Sequence, residues 1–289
     1  MPEERDPLVS ILTPSFNQAR WLEDNLRSIA SQTYPRIEHV VMDGGSTDGS
    51  AELLERAGEN VRWASEKDRG QSDALNKAFR ASSGEIIGWL NSDDAYFSRD
   101  AVRTVVDYFV AHPEVDVVYG HTAYVNANGL ILLMIWAPPF FRWWLRMEDI
   151  IPQPAAFVRR SALGDTLVDE SLHFAMDYDL WLRLLRDGKR FARIDKVLAV
   201  ERGQAERKTL SIADIRKRDV ERLAKEYGIG TEDDNQLVKR ILGVKSRFFG
   251  LRLVRAIHGD LAFAAQPVST ADVVRRQVAA RRSRMDLGD

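Results

Sequence analysis

The sequence predicts an α/β protein with a mostly parallel central sheet, helices on both faces, and a helical C-terminal extension. Three observations carry that prediction. Short apolar runs alternate with amphipathic segments through about the first 120 residues. Four of those runs end in polar or acidic tips, where parallel sheets place their ligands. From about Ser211 the pattern is helical, with Arg-rich stretches.

In chain order, "LVSILTP" is a short apolar strand. "ARWLEDNLRSIASQ" sets Leu22, Leu26 and Ile29 on one helical face. "IEHVVMD" is the next strand, and "GGSTDGSAELLERAG" turns into a helix with Gly58 near its end. "VRWASE" is a third strand. "SDALNKAFRASSG" is a helix with Ser72 as its expected N-cap. "EIIGWL" is a fourth strand, "RDAVRTVVDYFVAHP" an amphipathic helix stopped by Pro113, and "VDVVYG" a fifth strand. "TAYVNANGLILLM" reads as a hairpin around Asn126 to Gly129. "PPFFRWWLRMEDIIPQPAAFVRR" reads as an aromatic-rich loop with a short helix. "AMDYDLWLRLLRDGKR" is a helix ending at Gly188, and "FARIDKVLAVER" a strand.

The 289 residues suffice for a sizeable core. The formal net charge is −2, so no chain-wide basic excess points to a nucleic-acid partner. There is no Cys, which excludes disulfides and thiolate metal sites. Any metal must then sit on carboxylates, amides, His or substrate oxygens, which favours Mg²⁺ or Mn²⁺. "MPEERDPLVS" is charged and carries no apolar leader. The longest apolar run, "GLILLMIWAPPFF", holds two prolines and is too short for a bilayer. A cytoplasmic location is expected.

The strand tips carry Thr13-Pro14-Ser15, Asp43-Gly44-Gly45, Glu66-Lys67-Asp68 and Asn91-Ser92-Asp93-Asp94. Each alone is also turn chemistry. Two adjacent carboxylates at a strand end, with no thiol or His nearby, suit a divalent cation shared with phosphate oxygens. The alternative for "NSDD" is an Asx turn capping the next helix. The glycines of "MDGGSTDGS" let the backbone approach a ligand, while Asp48 reads as a helix N-terminal residue. Asp43 ends a buried-looking strand and should point at the cleft.

The ordered set "VSILTPSFNQARWLEDNLRSIASQ", "IEHVVMDGGSTDGS", "EKDRGQSDALNKAFRASSGEIIGWLNSDD" and "MDYDLWLRL" resembles glycosyltransferase family 2, over roughly Val9 to Thr209. That resemblance implies the glycosyltransferase A fold and inverting transfer from a nucleotide-diphosphate sugar, a UDP-sugar in the first place, to a hydroxyl of a glycan or lipid-linked acceptor. It implies a catalytic domain over 1–210, with a nucleotide-binding half of about 1–120 and an acceptor half of about 121–210. A helical region of 211–289 follows, associated with a membrane or a partner. It also implies roles. Thr13, Pro14 and Ser15 would line the nucleoside pocket, and Asp43 would accept from the base. Asp68 and Asn76 match donor-pocket positions. "NSDD" stands where the family has Asp-x-Asp, so Asp93 would face the metal, Mn²⁺ or Mg²⁺, with Asp94 supporting. Asn91 would meet the ribose beside Ser92, although an amide there brings no charge.

The family's base is an acidic residue ahead of a helix, which here is Asp177. A helix N-terminus stabilises its ionised form, and one carboxylate can take the acceptor proton. Asp177 or Asp179 could instead cap the helix, and Asp179 is the better structural candidate. Relatives often carry Arg-x-His after the last core strand. Here "ERGQAERKT" puts Gln204 at the His position, leaving Arg202, Arg207 and Lys208 to hold the diphosphate. Trp143 and Trp144 could stack on an acceptor sugar or pack in the core, and Gln153 falls in the acceptor loop. "LVKRILGVKSRFFGLRLVRAIHG" is amphipathic with basic charges only, so an anionic membrane surface is a candidate partner beside an ordinary packed helix. Two other functions share such a site. One is a nucleotidyltransferase, although no Gly-rich, Arg/Lys-bearing loop follows the first strand. The other is a non-catalytic binding protein on the same fold.

Overall fold

The computed structural model describes residues 6–127, 129–203 and 210–229. Strands β1 (Val9–Ser15), β2 (Ile37–Asp43), β3 (Val61–Ser65) and β4 (Ile86–Trp89) alternate with helices α1 (Ala19–Ala30), α2 (Ser50–Glu55) and α3 (Gln71–Ala81). A two-residue strand β5 (Ala95–Tyr96) and helix α4 (Ala101–Ala111) follow. The second half carries β6 (Val117–Val125), β7 (Ile131–Ile135), α5 (Arg142–Leu145), β8 (Ala156–Arg159), α6 (Met176–Arg186), β9 (Phe191–Arg202) and α7 (Leu210–Tyr227).

The described strands form one sheet of order β3-β2-β1-β4-β8-β6-β9-β5, with β7 on β6. β3, β2, β1 and β4 run parallel, as do β6 and β9. β8 lies antiparallel between β4 and β6. From β1 the chain adds β2 and β3 on one side, then returns to place β4 on the other. This reversal sets a switch point at the carboxyl ends of β1 and β4. Ser15 and Asn91 therefore surface side by side.

Period-two alternation splits the core into two layers. Val9, Ile11 and Ile86 face Val102, Val105 and Phe109 of α4. Leu12, Val40 and Ile87 face Leu75, Ala78 and Phe79 of α3, in a cluster that also takes Leu180, Trp181 and Leu184 of α6. Both faces of these strands are covered, which explains their near-continuous apolar sequence. Leu22 and Ile29 of α1 are buried as their spacing predicts.

Three local expectations change. Ser72 is not the N-cap of α3; Gly70 is, at φ 119°, and the Ser72 hydroxyl donates to the Leu172 carbonyl at 2.9 Å. The segment expected as loop with one short helix ends in a strand, β8, which pairs on both edges. α7 belongs to the body of the fold, since Leu223 is fully buried in the α3/α6 cluster. Gln204, Arg207, Lys208 and the basic stretch 237–255 lie outside the described residues.

Candidate active site

Two cavities open along the carboxyl edge of the sheet. A smaller one, about 630 Å³, includes Ser15, Phe16, Gly44, Lys67, Asp68 and Asp93 in its lining. A larger one, about 960 Å³, includes Asp94, Trp144, Asp149, Gln153, Phe174 and Asp177. Asn91 and Gln71 line both. The "NSDD" turn is thus part of the partition between them, and its adjacent acidic residues line opposite sides.

The partition is held by groups far away in sequence. Asn25, buried in α1, donates through Nδ2 to the carbonyls of Asn91 (2.9 Å) and Asp94 (3.1 Å). The Asn91 side chain is saturated. Its Oδ1 accepts from Trp89 Nε1 (2.8 Å) and Gln71 Nε2 (2.7 Å), and its Nδ2 donates to Asp94 Oδ2 and Gln153 Oε1, both 3.2 Å. Gln153 in turn donates to the Trp89 carbonyl at 2.5 Å. Gln153 is therefore a strut of the partition as well as part of the larger cavity's wall.

Arg202 is placed differently from its expected diphosphate role. Its side chain is 2% exposed. Nε donates to the Asp93 carbonyl (3.1 Å), NH2 to Asp24 Oδ2 (3.1 Å), and the guanidinium lies 4.7 Å from the Trp21 ring centroid. Its backbone N–H donates to Asp94 Oδ1 at 3.1 Å. Arg202 thus braces the turn from behind. Arg202→Ala leaves buried partners unpaired and is expected to cost about 3 kcal/mol, read as a melting temperature lowered by roughly 5 °C or more. Arg202→Lys should not restore it, because a single ammonium lacks the fork that spans both oxygens. An unchanged melting temperature with weakened nucleotide binding would return Arg202 to the diphosphate.

Of the residues expected on the nucleotide side, Pro14, Ser15, Asp68, Asn91, Ser92 and Asp93 line the smaller cavity. Thr13 stands one step below, fully buried, with its hydroxyl 2.9 Å from His39 Nε2. Burial pushes the His39 pKa down to about 3, so this imidazole is neutral at pH 7. Asp43 is 1% exposed. Its carboxylate accepts from the Gly45 and Ser46 backbone (3.2 and 2.8 Å), Ser65 Oγ (2.6 Å) and the Ser46 hydroxyl. It shapes the turn whose Gly44 and Gly45 line the smaller cavity, but Asp43 itself joins neither cavity, which departs from its expected place facing the base. A Cβ on Gly44 would lie 2.7 Å from Asp68 Oδ2, so a side chain there would displace the Asp68 carboxylate at the cavity wall.

Asn76 is corrected. It is fully buried and joins neither cavity. Nδ2 donates to Val168 O (2.9 Å) and Glu170 Oε1 (3.2 Å), while Oδ1 accepts from the N–H groups of Leu167 (2.9 Å) and Val168 (3.1 Å). It ties α3 to the loop before α6. Asp94 differs from the metal role too: both its oxygens accept hydrogen bonds within the partition, and it faces the larger cavity. Trp144 lines that cavity, while Trp143 lies outside it, half exposed and stacked on Trp144 at 5.8 Å.

Asp177 is the second residue of α6 and is half-buried in the larger cavity's wall. Confinement pushes its pKa up to about 6, against the opposing pull of the Tyr178 N–H, which donates to Oδ1 at 2.8 Å. Asp149 shares the cavity and is held well above the carboxylate range, first by the enclosing wall and then by the Asp177 charge. Asp149 is nonetheless exposed to the water of the cavity, so much of that desolvation is relieved. Asp179 points elsewhere: it is buried and accepts from the Tyr227 hydroxyl at 2.7 Å.

Sequence reasoning passed over Phe16, Gln71, Asp149 and Asn25. Phe16 did carry a signal, as an aromatic set between Ser15 and Asn17 at a strand tip; it is 59% exposed at the smaller cavity. Asn25 was visible as an amide on the apolar face of α1. Nothing around Asp149 marks it.

The family model for glycosyl transferase family 2 matches residues 10–167, ending ahead of Asp177. A chondroitin synthase of Escherichia coli is 30% identical over 218 residues, covering 74% of this chain and 32% of its own length. A hyaluronan synthase of Pasteurella multocida is 32% identical over 198 residues, covering 67% of this chain and 20% of its own. The chain thus spans a third or less of those two curated relatives. Among solved structures, S. aureus TarS in complex with UDP-GlcNAc is 18% identical with a TM-score of 0.59, covering 75% of this chain and 66% of that one. The mannosyltransferase PcManGT from Pyrobaculum calidifontis, in complex with GDP-Man and Mn²⁺, is 21% identical with a TM-score of 0.60, covering 96% and 81%. The switch point, the partitioned cleft and these matches together show that the chain belongs to glycosyltransferase family 2 and has the glycosyltransferase A fold.

Proposed function

We propose that the protein is a metal-dependent, inverting glycosyltransferase. It moves a sugar from a nucleotide-diphosphate sugar, a UDP-sugar in the first place, to a hydroxyl of a glycan or lipid-linked acceptor. The observation that carries this reading is the partition itself: Asp93 lines one cavity, Asp177 the other, and the "NSDD" turn, with Gln71, lies between them. A donor in the smaller cavity and an acceptor in the larger would meet at its edge. Its relatives, among them two polysaccharide synthases, and its structural neighbours bound to UDP-GlcNAc and to GDP-Man with Mn²⁺ support the same class.

The nucleobase would stack on the exposed face of Phe16. Asp93 would hold the cation. Among the described residues no three acidic or His side chains gather as a ready-made metal cage. One carboxylate completed by substrate phosphate oxygens and water is nevertheless a donor set that Mg²⁺ takes, and Mn²⁺ shares its oxygen-ligand preference. Such a cation, once bound, neutralises charge on the departing diphosphate. Asp177 would take the proton of the acceptor hydroxyl as that oxygen attacks the anomeric carbon. Trp144 offers an aromatic wall to the acceptor sugar.

No helix among the described residues is long and apolar enough to cross a membrane. A peripheral seat on the inner membrane face belongs to the same proposal, supported by the basic-only charge of residues 237–255.

The test is a melting-temperature panel of UDP, GDP, dTDP and CMP, each with and without Mn²⁺. Ligand at about a hundred times its dissociation constant adds roughly 2.7 kcal/mol, a rise of several degrees. One nucleoside diphosphate should stabilise the protein, and only with Mn²⁺. No rise with any of the four would favour a non-catalytic protein, and pyrophosphate release from a nucleoside triphosphate would favour a nucleotidyltransferase.

A further inference from the structure

We infer that α7 is a working part of the transfer site, and that Asp219 is a positioning residue for the segment presenting Asp177. This rests on Asp177 being the base. One oxygen of Asp219, Oδ2, accepts from three successive backbone N–H groups: His173 (3.0 Å), Phe174 (2.7 Å) and Ala175 (3.2 Å). Asp219 is 7% exposed, so these bonds stand mostly out of water. α6 starts at the next residue, Met176, and Asp177 follows it.

The N-terminus of α6 has no local side-chain cap, because Ala175 occupies the N-cap position. Asp219 does not take over the cap's own bonds, since the N–H groups it holds precede the helix; it fixes the turn that leads into α6. Three converging N–H groups make a small anion nest, which Asp219 fills. His173 and Phe174 line the larger cavity, and so do Ile215, Arg216 and Val220 of α7. The Asp219 bond therefore fixes cavity wall and base-bearing turn together.

Further contacts hold α7 in register with this segment. Arg222 donates to Asp169 Oδ2 (2.7 Å) and Ser171 Oγ (2.6 Å), just upstream of the turn. The Tyr227 hydroxyl donates to Asp179 Oδ1 (2.7 Å), on the first turn of α6. Arg146 closes the far end on the carbonyls of Tyr227 (3.2 Å) and Gly228 (3.1 Å). The anchors of α7 thus bracket Asp177 from residue 169 to 179. None of these side-chain anchors reaches the donor cavity. Slack at Asp219 would shift the base and spare nucleotide binding. A misplacement of about 1 Å can cost about 10²-fold in rate.

The test compares full-length wild type, Asp219→Asn, Asp219→Ala and Asp177→Asn. The readouts are nucleoside diphosphate release from UDP-N-acetylglucosamine, UDP-glucose and GDP-mannose, each with a glycan oligosaccharide as acceptor and with water alone, and the melting-temperature rise given by the matching nucleotide with Mn²⁺. Asp219→Ala should lower kcat by about 10²-fold, with KM for the donor and the nucleotide-induced rise unchanged. Asp219→Asn keeps an acceptor oxygen and the side-chain shape, and should fall between Ala and wild type. If the Ala variant does not fold, the kcat of Asp219→Asn against its unchanged donor KM carries the test. Wild-type kcat in both Asp219 variants, with Asp177→Asn inactive, overturns the inference and leaves the base assignment standing. Nucleotide binding and kcat falling in parallel overturns it too, since that is the mark of general structural support. Near-normal turnover in Asp177→Asn removes the base reading and the inference with it.

Discussion

Asp177→Asn is expected to lower kcat by about three orders of magnitude, within the range general-base catalysis contributes. The melting-temperature rise induced by nucleotide and Mn²⁺ should be unchanged. The substitution keeps the side-chain shape and an oxygen for the Tyr178 N–H, which now binds Oδ1 at 2.8 Å. It removes only the capacity to take a proton. Asp177 and Asp93 line different cavities, so the donor side should not register the change. Near-normal turnover would transfer the base role elsewhere, and Asp149 would be the first group to test.

The pH dependence follows from the same carboxyl. Its pKa is pushed up to about 6 by confinement in the cavity wall. Below that value the group is protonated and cannot act as base. The rate should therefore fall about tenfold per pH unit on the acid side and level off above about pH 7. The sign for stability is opposite. A carboxyl whose folded pKa lies above its unfolded value favours the fold while protonated, and that contribution is lost as pH rises through the folded pKa. Above pH 6, Asp177→Asn should thus melt at or slightly above wild type, with the gain limited because water reaches the half-buried group. A variant less active yet no less stable is the pattern of a functional strain.

The parallel half of the sheet was legible because its signals are local. "IEHVVMD" carries an apolar Val-Val-Met run, leads into a Gly-Gly turn, and appears as β2 at the predicted residues. β8 was not legible. It is four residues long, and its partners β4 and β6 lie far upstream. In the cleft, sequence order put the polar tips in one row but could not say which way each side chain turns. Asp93 and Asp94 are neighbours, yet line opposite cavities. Arg202 reads as one more basic loop residue until Asp24, at a separation of 178 residues, is seen to hold it. Asn76 is a polar residue in the right motif, but it saturates its amide on the 167–170 loop. Asp219 sits in a charged helical stretch, "IADIRKRDVERLAKEY", where nothing local distinguishes it from its exposed neighbours. In each of these cases the missing information is a contact between distant segments, which composition and periodicity do not encode.

Asp93→Ala should abolish the Mn²⁺-dependent part of nucleotide binding and reduce turnover by about 10² to 10³-fold. The cation contributes several kcal/mol of charge stabilisation, and each 1.36 kcal/mol is tenfold in rate. The expected reading is a nucleotide-induced rise that no longer differs with and without Mn²⁺. Asn91 sharpens this expectation. It stands where the family often has another Asp, and its amide is consumed by Trp89, Gln71, Asp94 and Gln153. That leaves Asp93 as the carboxylate of the turn lining the donor cavity. The comparison variant is Asp94→Asn. Asp94 accepts from the Arg202 backbone and the Asn91 amide, so its loss should lower the melting temperature and loosen the partition while leaving the Mn²⁺ requirement intact. Persistence of the Mn²⁺-dependent rise in Asp93→Ala, with its loss in Asp94→Asn, would exchange the two roles. The cation would then lie on the acceptor side of the turn, within reach of the cavity that holds Asp149 and Asp177.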